Sequence, residues 1–276
     1  MKKQIQKAGQ SCFYRDIRIV LLSSFLLIYS ISFWGCAAKT TATGLPKIAA
    51  KELIDSLVAQ DTLLKTVRIT GKGNFRGQGK DESFLVGLHT SRPDKMLSHI
   101  KGPLGITAAV LWLCGKDSLC IYLPAKNAVL VEPLGINDPN IVLPPATPIL
   151  VDMFSGMAPV YRFADSLQNF EEVAGGYYLT FRKNDEILVA LAKPYPWHVE
   201  NFQWTRTTNQ KEQVDVQFSD GEVQNGIWRP DKITITAPAL DQIITLDINK
   251  CEMNIAIDDS LFKPNLPEQV KWMSAF

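Results

Sequence analysis

The amino-acid sequence predicts a mainly β protein: a single antiparallel sheet curled into a barrel or half-barrel, with helices flanking it. Two observations carry this. Strand-length runs, apolar or alternating, fill most of the chain beyond Lys65, and turn signals such as Asp220-Gly221, Asn225-Gly226 and Pro238 separate them. The helix-like runs are few and each has an apolar side that needs covering. No repeat period or low-complexity tract interrupts the pattern, and no domain boundary stands out.

The chain opens as a lipoprotein signal. Lys2, Lys3, Lys7, Arg15 and Arg18 form a basic stretch, and Ile19 to Trp34 form an apolar run that is short for a membrane span. It ends at Gly35-Cys36, a small residue before a cysteine, in a lipobox whose Phe33 and Trp34 are bulkier than usual. An uncleaved anchor helix is the alternative. Cleavage would leave Cys36 as an acylated N-terminus, carrying diacylglycerol and a fatty acid, and several acyl chains hold a protein on a membrane stably. No other cofactor is expected. Residues 1–35 are thus a signal peptide, 36–45 a small and polar lipid-anchored tether, and 46–276 the folded domain.

Without residues 1–35 the chain has 24 basic and 27 acidic residues, a net charge of −3. That balance gives no argument for nucleic acid. Cys12 leaves with the signal, so Cys114, Cys120 and Cys251 would face an oxidising periplasm.

A helix is expected from Pro46, with Ile48, Leu53, Ile54, Leu57 and Val58 on one face and Lys51, Glu52, Asp55 and Asp61 opposite. Val67 to Phe75 reads as a strand bulged at Gly71-Lys72-Gly73, turning at Arg76 to Gly79. Strands Ser83 to Thr90 and Lys95 to Lys101 follow, around a Ser91 to Asp94 turn.

Gly102-Pro103-Leu104-Gly105 is the next turn. Pro103 fixes its own φ and Gly105 tolerates the positive φ that closes it. A leucine at a turn apex is unusual, and exposing it costs roughly 1.5–3 kcal/mol relative to burial. Leu104 therefore tucks inward or meets something apolar outside.

Ile106 to Leu113 is apolar on both faces, so it is covered twice or has one face on an apolar cavity. Ser118 to Pro124 pairs with it, and Cys114 and Cys120 flank the turn. A cross-strand disulfide and two buried thiols are the two readings of that pair. Asn127 to Glu132 is a strand, Pro133 to Pro145 a loop, and Pro148 to Phe154 a short apolar helix capped at Gly156 and set across or inside the mouth. Strands then run over Tyr177–Lys183, Glu186–Ala192, Val199–Thr207, Gln213–Ser219, Lys232–Ala237, Gln242–Asn249 and Glu252–Ile257. Glu268 to Phe276 closes the chain as a helix or tail.

No catalytic constellation is visible, and an enzyme is not expected. His89, His99 and His198 fall singly on separate strands, without metal-ligand spacing. Ser155 lacks the flanking glycines of a nucleophile elbow.

The lipobox, the first helix, strand Thr70 to Arg76, the Lys101 to Gly105 turn and the segment Leu143 to Pro159, in that order, resemble the LolB family of outer-membrane lipoprotein receptors. The likeness covers roughly Gly44 to Val160. It implies an open half-barrel with helices plugging an apolar cavity lined by Phe84, Val86, Leu97, Ile106, Ala108, Val110, Trp112, Leu150, Met153 and Phe154. It implies that Leu104, with Pro103 and Gly105, touches the membrane or a partner. It further implies a monomer on the periplasmic face of the outer membrane, accepting acylated lipoproteins from a LolA-like carrier and releasing them among outer-membrane lipids. Another amphiphile, or a purely structural role, are the alternatives.

Overall fold

The computed structural model describes residues 44–114, 118–134 and 147–274. Leu45–Phe276 forms one compact unit. The signal peptide and Cys36 lie outside the described residues, as do most of the tether and most of the loop after Pro133.

The first six strands are β1 (Thr66–Gly77), β2 (Lys80–Ser91), β3 (Lys95–Lys101), β4 (Thr107–Leu113), β5 (Ser118–Leu123) and β6 (Ala128–Pro133). Each pairs antiparallel with its predecessor, as short turns dictate. A second meander comprises β7 (Leu167–Val173), β8 (Gly176–Lys183), β9 (Glu186–Lys193), β10 (His198–Arg206) and β11 (Asn209–Ser219). It continues through β14 (Lys232–Ala237) and β15 (Gln242–Met253), interrupted by a hairpin of β12 (Glu222–Gln224) and β13 (Ile227–Arg229).

The two meanders join where β1 pairs with β15, Val67 opposite Met253 and Gly77 opposite Gln242. The expected bulge falls between Thr70 and Gly71. Strand β16 (Lys271–Ser274) adds to β6 in parallel, giving a fourteen-stranded sheet with β16 and β7 at its edges, not closed into a barrel.

Several expectations change. Gln242–Met253 is one strand rather than two, and Lys271–Ser274 is a strand rather than a helix. Strand β7 was not foreseen, because an edge strand reading LQNFEEV buries little and shows no strict alternation. The first helix, α1 (Ala50–Leu63), begins four residues after Pro46, whose carbonyl accepts a 2.9 Å bond from the Tyr177 hydroxyl. It buries Leu53, Ile54 and Leu57 and leaves the Lys51–Asp55 pair in solvent, but Asp61, expected on the polar face, is buried as well.

The second helix, α2 (Thr147–Phe154), lies on the connection from β6 to β7. It buries Ile149, Leu150, Val151 and Met153, as a nearly all-apolar helix must. Gly156, at φ 77°, ends it: the Met157 amide donates to the Asp152 carbonyl at 2.9 Å.

The sheet is covered on both faces at β3 to β6. One face joins α1 and α2 in the main core, with Val86, Leu88, Met96, Leu119, Phe181 and Trp204. The other carries Leu97, Val110, Trp112, Cys120 and Val129 beneath Phe262, with Ile257, Leu266 and Val270 packed alongside. This accounts for the apolar faces of Val110 to Leu113, whereas Ile106 and Ala108 at the start of the run remain exposed.

Candidate functional site

Strand β3 has a turn at each end, and each carries a feature of functional interest. At its start stands Arg92. Its Nε donates to Asp152 Oδ1 on α2 at 2.7 Å, and its Nη1 donates to the carbonyls of Asp61 and Leu64. Nη2 reaches Asp61 Oδ1 at 3.4 Å. The three side chains are 8%, 5% and 0% exposed for Arg92, Asp61 and Asp152. Tyr161 faces the guanidinium, 5.6 Å from ring centre to Cζ. Nearby, the buried hydroxyls of Thr90 and Ser155 meet at 2.9 Å and tie β2 to the end of α2.

One arginine thus clamps the C-terminal end of α1, the middle of α2 and the β2–β3 turn. Two carboxylates share a single cation out of water. Burial raises Asp61 to about 7 and Asp152 to about 6, against the downward pull of Arg92. Near neutral pH the cluster is therefore poised between one and two charged carboxylates.

At the other end of β3 the Gly105 amide donates to the Gly102 carbonyl and the Gly102 amide to the Ile106 carbonyl, both at 2.9 Å. Gly105 sits at φ 76°, so the turn is closed by a left-handed glycine, as expected. Leu104 is 87% exposed and Ile106 70%, and Leu85 on β2 is also exposed. The turn points its leucine at solvent rather than tucking it over the sheet.

The ten residues expected to line one cavity do not share a face. Val86, Leu150 and Met153 lie in the main core, with Phe84 and Phe154 packed against it. Leu97, Val110 and Trp112 lie on the opposite face of the sheet, while Ile106 and Ala108 are exposed. The reason is register. Val86 faces Ile100 and Ile100 faces Ala109, so Ala109, Leu111 and Leu113, not their even-numbered neighbours, share the face of Val86.

Between α1 and β10 a partly open space of about 20 Å³, lined by Leu57, Asp61, Met157, Trp197, His198 and Trp228, holds about one water. Over the other face, Trp112, Phe262, Leu266 and Trp272 border an open groove of about 490 Å³. Cys114 and Cys120 are disulfide-bonded there, with Cα atoms 5.8 Å apart. Trp112, not Cys114, stands directly opposite Cys120, so the bond runs diagonally across β4 and β5.

His89 and His99 occupy neighbouring strands diagonally, and burial lowers both. His198 stacks on Trp228 at 4.0 Å, and its Nδ1 lies 2.7 Å from the Pro196 carbonyl. Among the described residues no three His, Cys, Asp or Glu converge as a metal-binding set, and no helix is long and apolar enough to cross a membrane.

The Arg92 cluster was not anticipated. Its one sequence signal was Asp152, a lone acid inside the apolar run Pro148 to Phe154.

No family model matches the chain, and no curated protein matches it by sequence. Among solved structures it is similar to a putative outer membrane lipoprotein-sorting protein domain from Vibrio parahaemolyticus, at 14% identity and TM-score 0.55, over 77% of this chain and 95% of that one. A LolA superfamily protein from Nitrosomonas europaea is 9% identical at TM-score 0.55, over 78% of this chain and 98% of that one. A DUF1329 family protein from Desulfovibrio piger is 14% identical at TM-score 0.53, over 78% and 98%. At such identities the likeness is one of fold: this chain folds like these three domains.

Proposed function

We propose that this chain is a lipid-anchored envelope lipoprotein that receives acylated lipoproteins from a periplasmic carrier and delivers them to the outer membrane. In this reading Cys36 holds the protein on the periplasmic face. The sheet serves as the wall of an open half-barrel, α1 and α2 serve as its plug, and the Leu104 turn meets the target membrane.

The single observation that carries the reading is Leu104, 87% exposed at the tip of a hydrogen-bonded turn. A side chain that gains roughly 1.5–3 kcal/mol on leaving water is held where only an external apolar phase can take it. Reversible acyl binding needs no catalytic group; it needs apolar surface that opens and closes. That surface is present along α1, α2 and the facing strands. It is packed shut here, so entry of a chain requires the Arg92 clamp to release the helices. Handover without an energy source requires this protein to hold the cargo more tightly than the carrier does, by about 1.4 kcal/mol for each tenfold.

The test is transfer. The full chain in nanodiscs is mixed with a purified LolA-like carrier loaded with a lipoprotein, and the cargo is followed by affinity capture. Cargo moving onto the protein supports the receptor reading. Cargo staying put while the protein binds a fluorescent fatty acid points to a different amphiphile. Failure of both leaves a packed structural lipoprotein and removes the proposal.

A further inference from the structure

The surroundings of the Leu104 turn are as informative as its apex. Antiparallel register sets Lys72 directly opposite Leu85, and Leu85 directly opposite Lys101, so one row across β1, β2 and β3 reads lysine, leucine, lysine. Lys101 leads straight into Gly102 and the turn. The neighbouring β5–β6 turn, Pro124–Lys126, packs against β4 and brings exposed Lys126 to the same end of the sheet.

Two acids adjoin this row: Asp247 stands directly opposite Lys72 on β15, and Asp81 lies further along β2. Asp81 accepts from Asn74 and Arg76 at 2.8 and 3.3 Å, which lowers its pKa, and Asp247 lies 3.8 Å from Lys232. Lys72, Lys101 and Lys126 have no carboxylate at ion-pair distance among the described residues. Local positive charge therefore rings three exposed apolar side chains, Leu85, Leu104 and Ile106, on a chain whose part beyond residue 35 carries a net charge of −3.

We infer that this end of the sheet docks on an anionic lipid surface, the leucine entering the apolar layer while the three lysines sit among acidic headgroups. The inference rests on the reading of Leu104 as a membrane contact and adds the chemistry of the membrane it selects. Apolar insertion alone would be indifferent to headgroup charge. Lysines near an anionic leaflet strengthen association about fivefold each, so three supply on the order of a hundredfold. The ring also orients the approach, because only this end of the sheet would be drawn towards the surface.

The experiment uses the full chain, anchored through its own N-terminus in vesicles containing brominated lipid, and reads the added emission of Leu104→Trp over the unsubstituted protein. Vesicles of phosphatidylcholine alone are compared with vesicles that also contain phosphatidylglycerol. The expected result is quenching on the anionic vesicles and little on the neutral ones. Raising salt from about 0.05 M to about 0.5 M shrinks the screening length and should abolish it. Combining Lys72→Gln, Lys101→Gln and Lys126→Gln should lower the docked fraction on anionic vesicles to the neutral level, with the melting temperature unchanged. Equal quenching on both vesicles, insensitive to salt, overturns this inference and leaves the membrane contact standing. Quenching on neither overturns both, and an acidic protein surface then becomes the partner to seek.

Discussion

β3 carries a proline-containing turn at each end, and the two invert the usual distribution of side chains in opposite ways. At its start Arg92, a permanent cation, is buried against two buried carboxylates. Seven strand residues later Leu104, an aliphatic side chain, stands in water. Charge belongs outside and leucine inside when stability alone is at stake. Each inversion has a cost, and they differ in who meets it. The arginine is compensated within the fold, by contacts to α1, α2 and Tyr161. The leucine has no internal compensation. Internal compensation marks a part that holds the molecule in one state; its lack marks a part that waits for something else.

The largest expected effect breaks the first half of that contrast. Arg92→Ala would leave Asp61 and Asp152 buried without their cation, and should cost about 3–5 kcal/mol in chemical denaturation. A loss below about 1 kcal/mol would mean that the clamp is no more than a surface pair.

Next is the pH response. Asp61 rises from its ordinary 3.8 to about 7 on folding, and Asp152 to about 6. Between those limits the native state binds more protons than the unfolded one. The contribution of this cluster to stability is therefore full at low pH and lost as pH rises from about 4 to about 7. Asp61→Asn, which keeps an acceptor for Arg92, should become more stable than the wild type by a margin that widens from pH 5 to pH 8, as melts across that range would show. A constant margin would remove Asp61 as the titrating group.

The disulfide sharpens the comparison from a neutral position. It closes a short loop, so Cys114→Ser with Cys120→Ser should lower stability by about 2 kcal/mol or less. The bond lies at the end of β3 away from Leu104, beside Lys95 in the same groove, and delivery through the Leu104 turn should be unaffected. The smallest effect on stability belongs to Leu104→Glu, expected within about 0.5 kcal/mol of the wild type, yet delivery to vesicles should be lost. A large drop in melting temperature would show instead that Leu104 contributes to the core.

The strands were legible because most are bounded by turn chemistry that is itself local: Arg76 to Gly79, Asn184-Asp185, Pro238 to Asp241. So was the Leu104 turn, since Gly-Pro-Leu-Gly encodes its own geometry. What escaped was non-local. Which face Val110 and Trp112 occupy depends on the β3–β4 register, and a shift of one residue exchanges the faces. The partners of Arg92 lie 31 and 60 positions away in the chain, and no local pattern points to them. The covering of Trp112 by Phe262 is likewise visible only once the chain has folded back.

The join between the two meanders also sets the order in which the protein can be assembled. Nearly every other strand finds its neighbour within a hairpin, whereas β1 must wait on one side for Gln242–Met253. A chain emerging from the ribosome can form its first six strands as a meander, but the middle of the finished sheet stays an open edge until the last few dozen residues have appeared. Contacts of such long sequence separation make for slow folding. The central seam therefore closes only after nearly all of the chain has been made.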